Sequence, residues 1–168
     1  IFAGIAHPEG QASQEMIRRV NEYIDDVSGD IEMTYLENYG IDMAAKLTSG
    51  VDLWLNNPER GREACGTSGM KAACNGIPQL GTLDGWWIEG HLEDVTGWKI
   101  GPEPDEEKKN PYEIDSQDLY EKLEEHIIPP FYANKKKWTR IMRNVIAFNA
   151  SFFNTHRMVR EYALNAYS

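Results

Sequence analysis

The 168-residue sequence predicts an α/β fold built on a mostly parallel sheet. Short apolar runs alternate with longer stretches of helical period, which is how strand, crossover helix and parallel strand read in sequence. A hydrophobic share of 41% with 11% aromatics is enough to fill the core of one domain of this length.

The first strand is expected at Ile1 to Ala6. In Ser13 to Val27, Met16, Ile17, Val20, Tyr23 and Ile24 recur at spacings of one, three and four, the stripe of an amphipathic helix that Ser13 can cap. Further strands are expected at Ile31 to Leu36, Val51 to Leu55, Pro78 to Leu83 and Gly97 to Ile100, with Ile41 to Leu47 and Thr67 to Asn75 as helices between them. Gly76 stands where a left-handed residue ends a helix. Residues 1–100 thus form the α/β core, and residues 101–115, polar and rich in proline, an exposed loop. Residues 116–168 read as helices. Ser116 to Ile127 is capped by Ser116, presents Leu119, Leu123 and Ile127 on one face, and is expected to stop at Pro129-Pro130. Asn134 to Phe153 and Thr155 to Ala166 follow.

Twenty-seven acidic residues against 17 basic ones give a net charge of −10. That balance speaks against a surface that grips a phosphate backbone or an anionic membrane, since such surfaces carry basic patches. The lysine run Lys135-Lys136-Lys137 reads as a solvated helix start. No apolar stretch approaches the roughly 20 residues that span a bilayer, and nothing resembles a signal peptide. Cys65 and Cys74, without a metal-type partner set, suit a reducing compartment, so the cytoplasm is expected. The chain opens at Ile1, inside an expected strand, which suggests a piece of something longer.

Chemistry concentrates in Glu63-Ala64-Cys65-Gly66-Thr67-Ser68-Gly69-Met70-Lys71, a small-residue loop running into a helix. Gly66 and Gly69 admit close backbone approach, Thr67 and Ser68 add hydroxyls, and the unpaired N–H groups of a first helical turn suit a phosphate. A glycine-rich turn before a helix also serves as a plain tight connection, and a helical lysine as a plain surface charge.

This run, continued by Ala72-Ala73-Cys74-Asn75-Gly76 and by Gly81-Thr82-Leu83-Asp84-Gly85, resembles the pyridoxal-phosphate signature of the α-glucan phosphorylases, the glycogen and starch phosphorylase family. Phe2-Ala3-Gly4 with Ala6-His7-Pro8, and Leu36-Glu37-Asn38-Tyr39, resemble family segments in the same register, and the 71 − 39 = 32 residues from Tyr39 to Lys71 fit the family. The resemblance covers most of residues 1–100 and points to the shorter bacterial and archaeal branch.

The resemblance implies a Rossmann-like parallel sheet with flanking helices, the C-terminal domain of a glycosyltransferase of the B type, followed by a C-terminal helical segment. It implies pyridoxal 5′-phosphate as cofactor, with Lys71 as its Schiff-base lysine, Thr67 and Ser68 around its phosphate, and Tyr39 close to the cofactor and substrate phosphates. Family relatives from animals have glycine where Ser68 stands. Glu63, Ala64, Cys65 and Gly66 match the stretch that hydrogen-bonds glucosyl hydroxyls. The implied reaction is phosphorolysis of an α-1,4-glucan or maltooligosaccharide by inorganic phosphate. The implied role of the cofactor belongs to its 5′-phosphate, where other enzymes of this cofactor use the ring as an electron sink. Glu63 is then a sugar ligand, not half of a glycosidase pair.

The family's cationic cluster and its N-terminal domain match nothing in residues 1–168, so the chain alone is expected to be catalytically silent, with homodimers possible at full length. Arg60 and Arg62 lie near the loop but read as surface charges. Trp86 and Trp87, taken as strand neighbours facing opposite ways, read as packing residues, Cys65 as a small side chain and His7 as incidental. Two alternatives stay open: a nucleotide-sugar glycosyltransferase domain without pyridoxal phosphate, and a non-catalytic carbohydrate-binding module.

Overall fold

The computed structural model describes residues 1–103 and 111–167 and divides the chain into two compact units, Ile1–Leu47 and Thr48–Ser168. It is α/β with small parallel sheets flanked by helices.

In the first unit β1 (Phe2–Ala3) pairs in parallel with β2 (Tyr35–Leu36), Phe2 beside Tyr35 and Ala3 beside Leu36. The connection between them contains α1 (Gln11–Val27), whose half-buried residues Ile17, Val20, Ile24 and Val27 form a stripe at helical spacing. The expected cap is corrected: Gly10 precedes the helix and Ser13 lies in its first turn. Tyr35 Oη donates to the Gly4 carbonyl at 2.8 Å, tying the end of β1 to β2. α2 (Ile41–Gly50) follows and carries the boundary between the units.

The second unit holds a three-stranded parallel sheet in the order β3 (Trp54–Asn56), β4 (Gln79–Thr82), β5 (Gly97–Ile100). All four residues of β4 are buried, as expected of a central strand covered on both faces. The five expected strands pair as two small parallel sheets, with two to four residues of each run in a strand. Between β3 and β4 lies α3 (Thr67–Cys74), ended by Gly76 in the left-handed conformation that its position predicts. Trp86 and Trp87 are not on a strand: the chain turns at Gly85, and Trp87 opens the short helix α4 (Trp87–Gly90). Both indoles are buried, 5.2 Å apart.

Of the expected 101–115 loop, residues 104–110 lie outside the described residues. From Pro111 the chain is helical: α5 (Pro111–Glu121) begins five residues ahead of Ser116, which lies inside it and is no cap. α5 runs into a π-helical stretch, Lys122–Ile127, and then into α6 (Ile128–Ala133). Pro129 and Pro130 do not stop the chain there. They occupy the first turn of α6, where a missing N–H costs no bond. α7 (Lys135–Asn144) is capped by Asn134, whose side chain accepts from the Lys137 N–H, and continues into a second π-helical stretch, Val145–Ala150. α8 (Thr155–Asn165) is capped in the same way by Asn154.

These helices close the core of the second unit. Trp98 on β5 stacks on Trp138 of α7, with centroids 6.1 Å apart and 18° between the planes, and Leu80, Ile100, Ile141 and Val145 are fully buried with them. Because β3, β4 and β5 run parallel, their carboxyl ends open at one edge of the sheet, the place where parallel sheets bind ligands.

Candidate functional site

The segment from Asn57 to Gly66 leaves the end of β3 and is fixed at successive points by groups at the ends of β4 and β5. Thr82 Oγ1, the last side chain of β4, donates to the Pro58 carbonyl at 2.9 Å. Asp84, 8% exposed, accepts from the backbone N–H groups of Arg62 (3.1 Å) and Glu63 (2.8 Å) through Oδ2, and from Gly85 N–H (2.9 Å) through Oδ1. The Trp86 N–H donates to the Cys65 carbonyl at 2.8 Å. Gly85, at φ 52°, makes that approach possible, since a Cβ there would lie 2.5 Å from the Cys65 oxygen.

Gly66, at φ 80°, turns the loop into α3 and caps it without a side chain. On α3, Gly69, Ala72 and Ala73 are buried, while Thr67 and Lys71 are exposed and Ser68 is half-buried. Thr67 and Lys71 stand four residues apart and Ser68 and Lys71 three apart, which puts all three on one outward face. Among the described residues no hydrogen bond engages the Thr67 or Ser68 hydroxyl, and no ion pair engages Lys71 Nζ. The opposite face of the turn is shut: a Cβ on Gly69 would lie 2.0 Å from Gln79 Oε1 and 2.9 Å from Trp86 Nε1, both buried and without a hydrogen-bond partner.

The sequence-expected residues Glu63, Ala64, Cys65, Gly66, Thr67, Ser68 and Lys71 thus form one continuous feature. Glu63 and Gly66 are half-buried, Ala64 and Cys65 exposed. Tyr39, half-buried, belongs to the first unit, between Asn38, a non-glycine residue at φ 58°, and Gly40. Cys65 and Cys74 are unpaired thiols. The two arginines are not alike. Arg62 is exposed and 3.9 Å from Glu59. Arg60 is no solvated charge: its Nη1 and Nη2 donate to the two oxygens of Asp115 at 2.7 and 2.9 Å, and Nη2 also donates to the Ile100 carbonyl at 2.7 Å. Beside this pair a cavity of about 510 Å³ opens, lined by Asn57, Thr82, Tyr112 and Tyr120 among others but by none of Glu63 to Lys71. Neither Asp84 nor Asp115 carries an expected role in the sequence. An Asp-Gly pair just after a strand was the available signal for Asp84; nothing local marks Asp115.

Residues 1–97 match the family model described as carbohydrate phosphorylase. The chain belongs to this family. Over its whole length it is 44% identical to the maltodextrin phosphorylase of Thermococcus litoralis, 37% to the glycogen phosphorylase of Aquifex aeolicus and 34% to that of Mycobacterium tuberculosis. It spans 20%, 25% and 20% of those relatives respectively, about a fifth to a quarter of their length. The relatives bear phosphorylase names, and neither the nucleotide-sugar alternative nor the carbohydrate-binding module is favoured by them. Among the described residues no helix is long and apolar enough to cross a membrane, and no cluster of three or more His, Cys, Asp or Glu could hold a metal.

The donor set fits the family's cofactor. A phosphate accepts from hydroxyl and N–H donors, which Thr67, Ser68 and the first turn carry, and an aldehyde takes an amine, which Lys71 carries on the same helix face.

Proposed function

We propose that this chain is the cofactor-bearing, C-terminal part of a pyridoxal-phosphate-dependent α-glucan phosphorylase, which splits α-1,4-glucan with inorganic phosphate to give glucose 1-phosphate. The observation that supports this most is the outward face of α3, where Thr67, Ser68 and Lys71 stand together beside a loop held rigid by Asp84.

In this reading Lys71 Nζ attaches the cofactor, and Thr67, Ser68 and the first-turn N–H groups donate to its phosphate. When bound, that phosphate supplies a proton-relaying or electrostatic partner beside inorganic phosphate. Glu63 accepts hydrogen bonds from glucosyl hydroxyls, and Ala64, Cys65 and Gly66 line the same sugar. Inorganic phosphate gives its proton to the glycosidic oxygen, which leaves as the 4-hydroxyl of the shortened glucan, while a phosphate oxygen bonds to the anomeric carbon with retention through an oxocarbenium-like transition state. Fixing the loop before substrate arrives lowers the entropic part of that barrier.

Two phosphates about 4 Å apart repel by roughly 4 kcal/mol per unit charge pair at an effective dielectric of 20. With Arg60 committed to Asp115 and Arg62 beside Glu59, the chain has little to offset this. The offsetting cations and the second wall of the cleft then come from an N-terminal domain outside these residues, and the 168-residue chain alone is silent. A cytoplasmic setting, suggested by two unpaired cysteines, and a homodimer at full length belong to the same reading.

Treatment with pyridoxal phosphate and cyanoborohydride, followed by peptide mass spectrometry, tests it. Modification is expected at Lys71; modification spread over other lysines with Lys71 untouched would sink the proposal. Phosphorolysis of maltoheptaose by the purified chain alone would separately refute its silence.

A further inference from the structure

Arg60 and Asp115 tie the sugar-facing loop to a distant part of the chain. The loop Asn57–Gly66 is held at Pro58 by Thr82, at Arg62 and Glu63 by Asp84, and at Cys65 by Trp86, all within about 30 residues of it. A further attachment, at Arg60, is of another kind. Asp115 lies on α5, 55 residues away, and receives a bidentate fork from Arg60, while the same guanidinium donates to the Ile100 carbonyl at the end of β5.

The two side chains are only 22% and 20% exposed, so the pair is shielded from much of the water and salt that make surface pairs weak. A planar fork with two parallel bonds fixes orientation as well as distance, which a lysine could not do. Arg60 stands three residues before Glu63, so rotation of its backbone carries directly into the segment that presents Glu63 to Gly66.

We propose that Arg60 and Asp115 are positioning residues: α5, through this fork, shares with Asp84 and Trp86 the placement of the Glu63–Gly66 loop. The inference rests on reading that loop as the glucosyl contact. Neither residue touches substrate in it. The fork makes the C-terminal helical segment a working part of the site and not only a cover for the core.

The test uses the full-length protein that carries this chain, with Asp115→Ala and Asp115→Glu, and follows phosphorolysis kinetics, melting temperature and hydrogen exchange of individual loop peptides. Asp115→Ala is expected to lower kcat about 10- to 100-fold, the scale of a misplacement near one ångström. The KM for phosphate should stay within about threefold. Exchange at the Arg62 and Glu63 amides should quicken about tenfold while β5 amides are unchanged. Asp115→Glu, which keeps both oxygens, should recover most of kcat.

Unchanged kcat and loop exchange in Asp115→Ala, or a fall in activity that only follows a lower melting temperature with uniform exchange, would overturn the proposal. If Asp115→Ala does not fold, Asp115→Asn, which keeps one acceptor, is read by the same criteria. If the wild-type protein shows no phosphorolysis, the functional reading fails, and the exchange measurement still decides whether the fork places the loop.

Discussion

Asp84 Oδ2 accepts the backbone N–H of Glu63 at 2.8 Å across 21 residues of sequence, so the group expected to face the sugar is placed by the turn that ends the neighbouring strand. The same oxygen takes the Arg62 N–H, and the other oxygen takes that of Gly85. A carboxylate serving three backbone donors is a strong anchor, because each bond to a charged acceptor is worth about 1.5–3 kcal/mol.

Asp84→Asn should expose the role of that charge. The amide keeps one acceptor but turns a donor toward a backbone N–H, and at least one of the three donors is left unpaired in a site that is 8% exposed. A loss of about 1–3 kcal/mol is expected in urea unfolding, and in the full-length protein the catalytic rate should fall by more than the folded fraction does.

Gly69 and Gly97 predict different responses to the same substitution. A Cβ at Gly97 would lie 2.0 Å from the backbone oxygen of Gln79, which cannot move without breaking the pairing of β4 with β5. At Gly69 the 2.0 Å contact is with the end of the Gln79 side chain. Gly97→Ala should therefore cost about 3 kcal/mol or more and Gly69→Ala about 1–2 kcal/mol, the usual scale of overpacking, as read by thermal melts. Equal losses would show that the Gln79 side chain is as fixed as the strand.

Legibility in the sequence followed locality. β5 and the start of α3 were readable because short apolar runs and the small-residue loop announce themselves within a few positions. The partition into two sheets was not, since which runs pair is decided by partners elsewhere in the chain. α5 starts at Pro111 where only weak apolar period is present, Tyr112 being 74% exposed. Pro129 and Pro130 looked like stop signals because the preceding π-helical turn, which lets a new helix begin at Ile128, leaves no compositional trace. The loop from Glu63 to Lys71 stands out in the sequence by its run of small residues, whereas the contact of Arg60 with Asp115, 55 residues apart, leaves no local mark.

Trp138 should prove as important to the sheet as any strand residue. It is 7% exposed, stacks on Trp98 and meets Phe131 edge-on at 5.1 Å. Trp138→Ala is expected to cost about 3–5 kcal/mol, and the loss of near-ultraviolet circular dichroism from the Trp98 pair would report it. A change below about 1 kcal/mol would mean that the helices are not part of the cooperative core.

Acid stability should turn on Glu93. Burial pushes its carboxyl upward, but hydrogen bonds from His91, Lys122 and the Lys99 N–H outweigh burial and hold it down at about 2, against an ordinary 4.5. Lys122, opposed by its own burial, is raised through its bond and attraction to Glu93. A carboxyl lower in the folded state than in the unfolded one binds fewer protons when folded, so its stabilisation is complete above about pH 5 and is lost as pH falls from there toward 2. For Lys122 the sense is reversed: its contribution holds below its ordinary 10.5 and fades as pH rises beyond it. The Glu93 side chain is 35% exposed, so the full shift overstates the energy, and about 1–2 kcal/mol is expected once solvent screening is allowed for. Glu93→Gln should therefore lower stability at pH 7 by that amount and flatten the fall between pH 5 and 2. Urea midpoints across that range measure both, and a variant that keeps the wild-type slope would assign the acid sensitivity to other carboxylates.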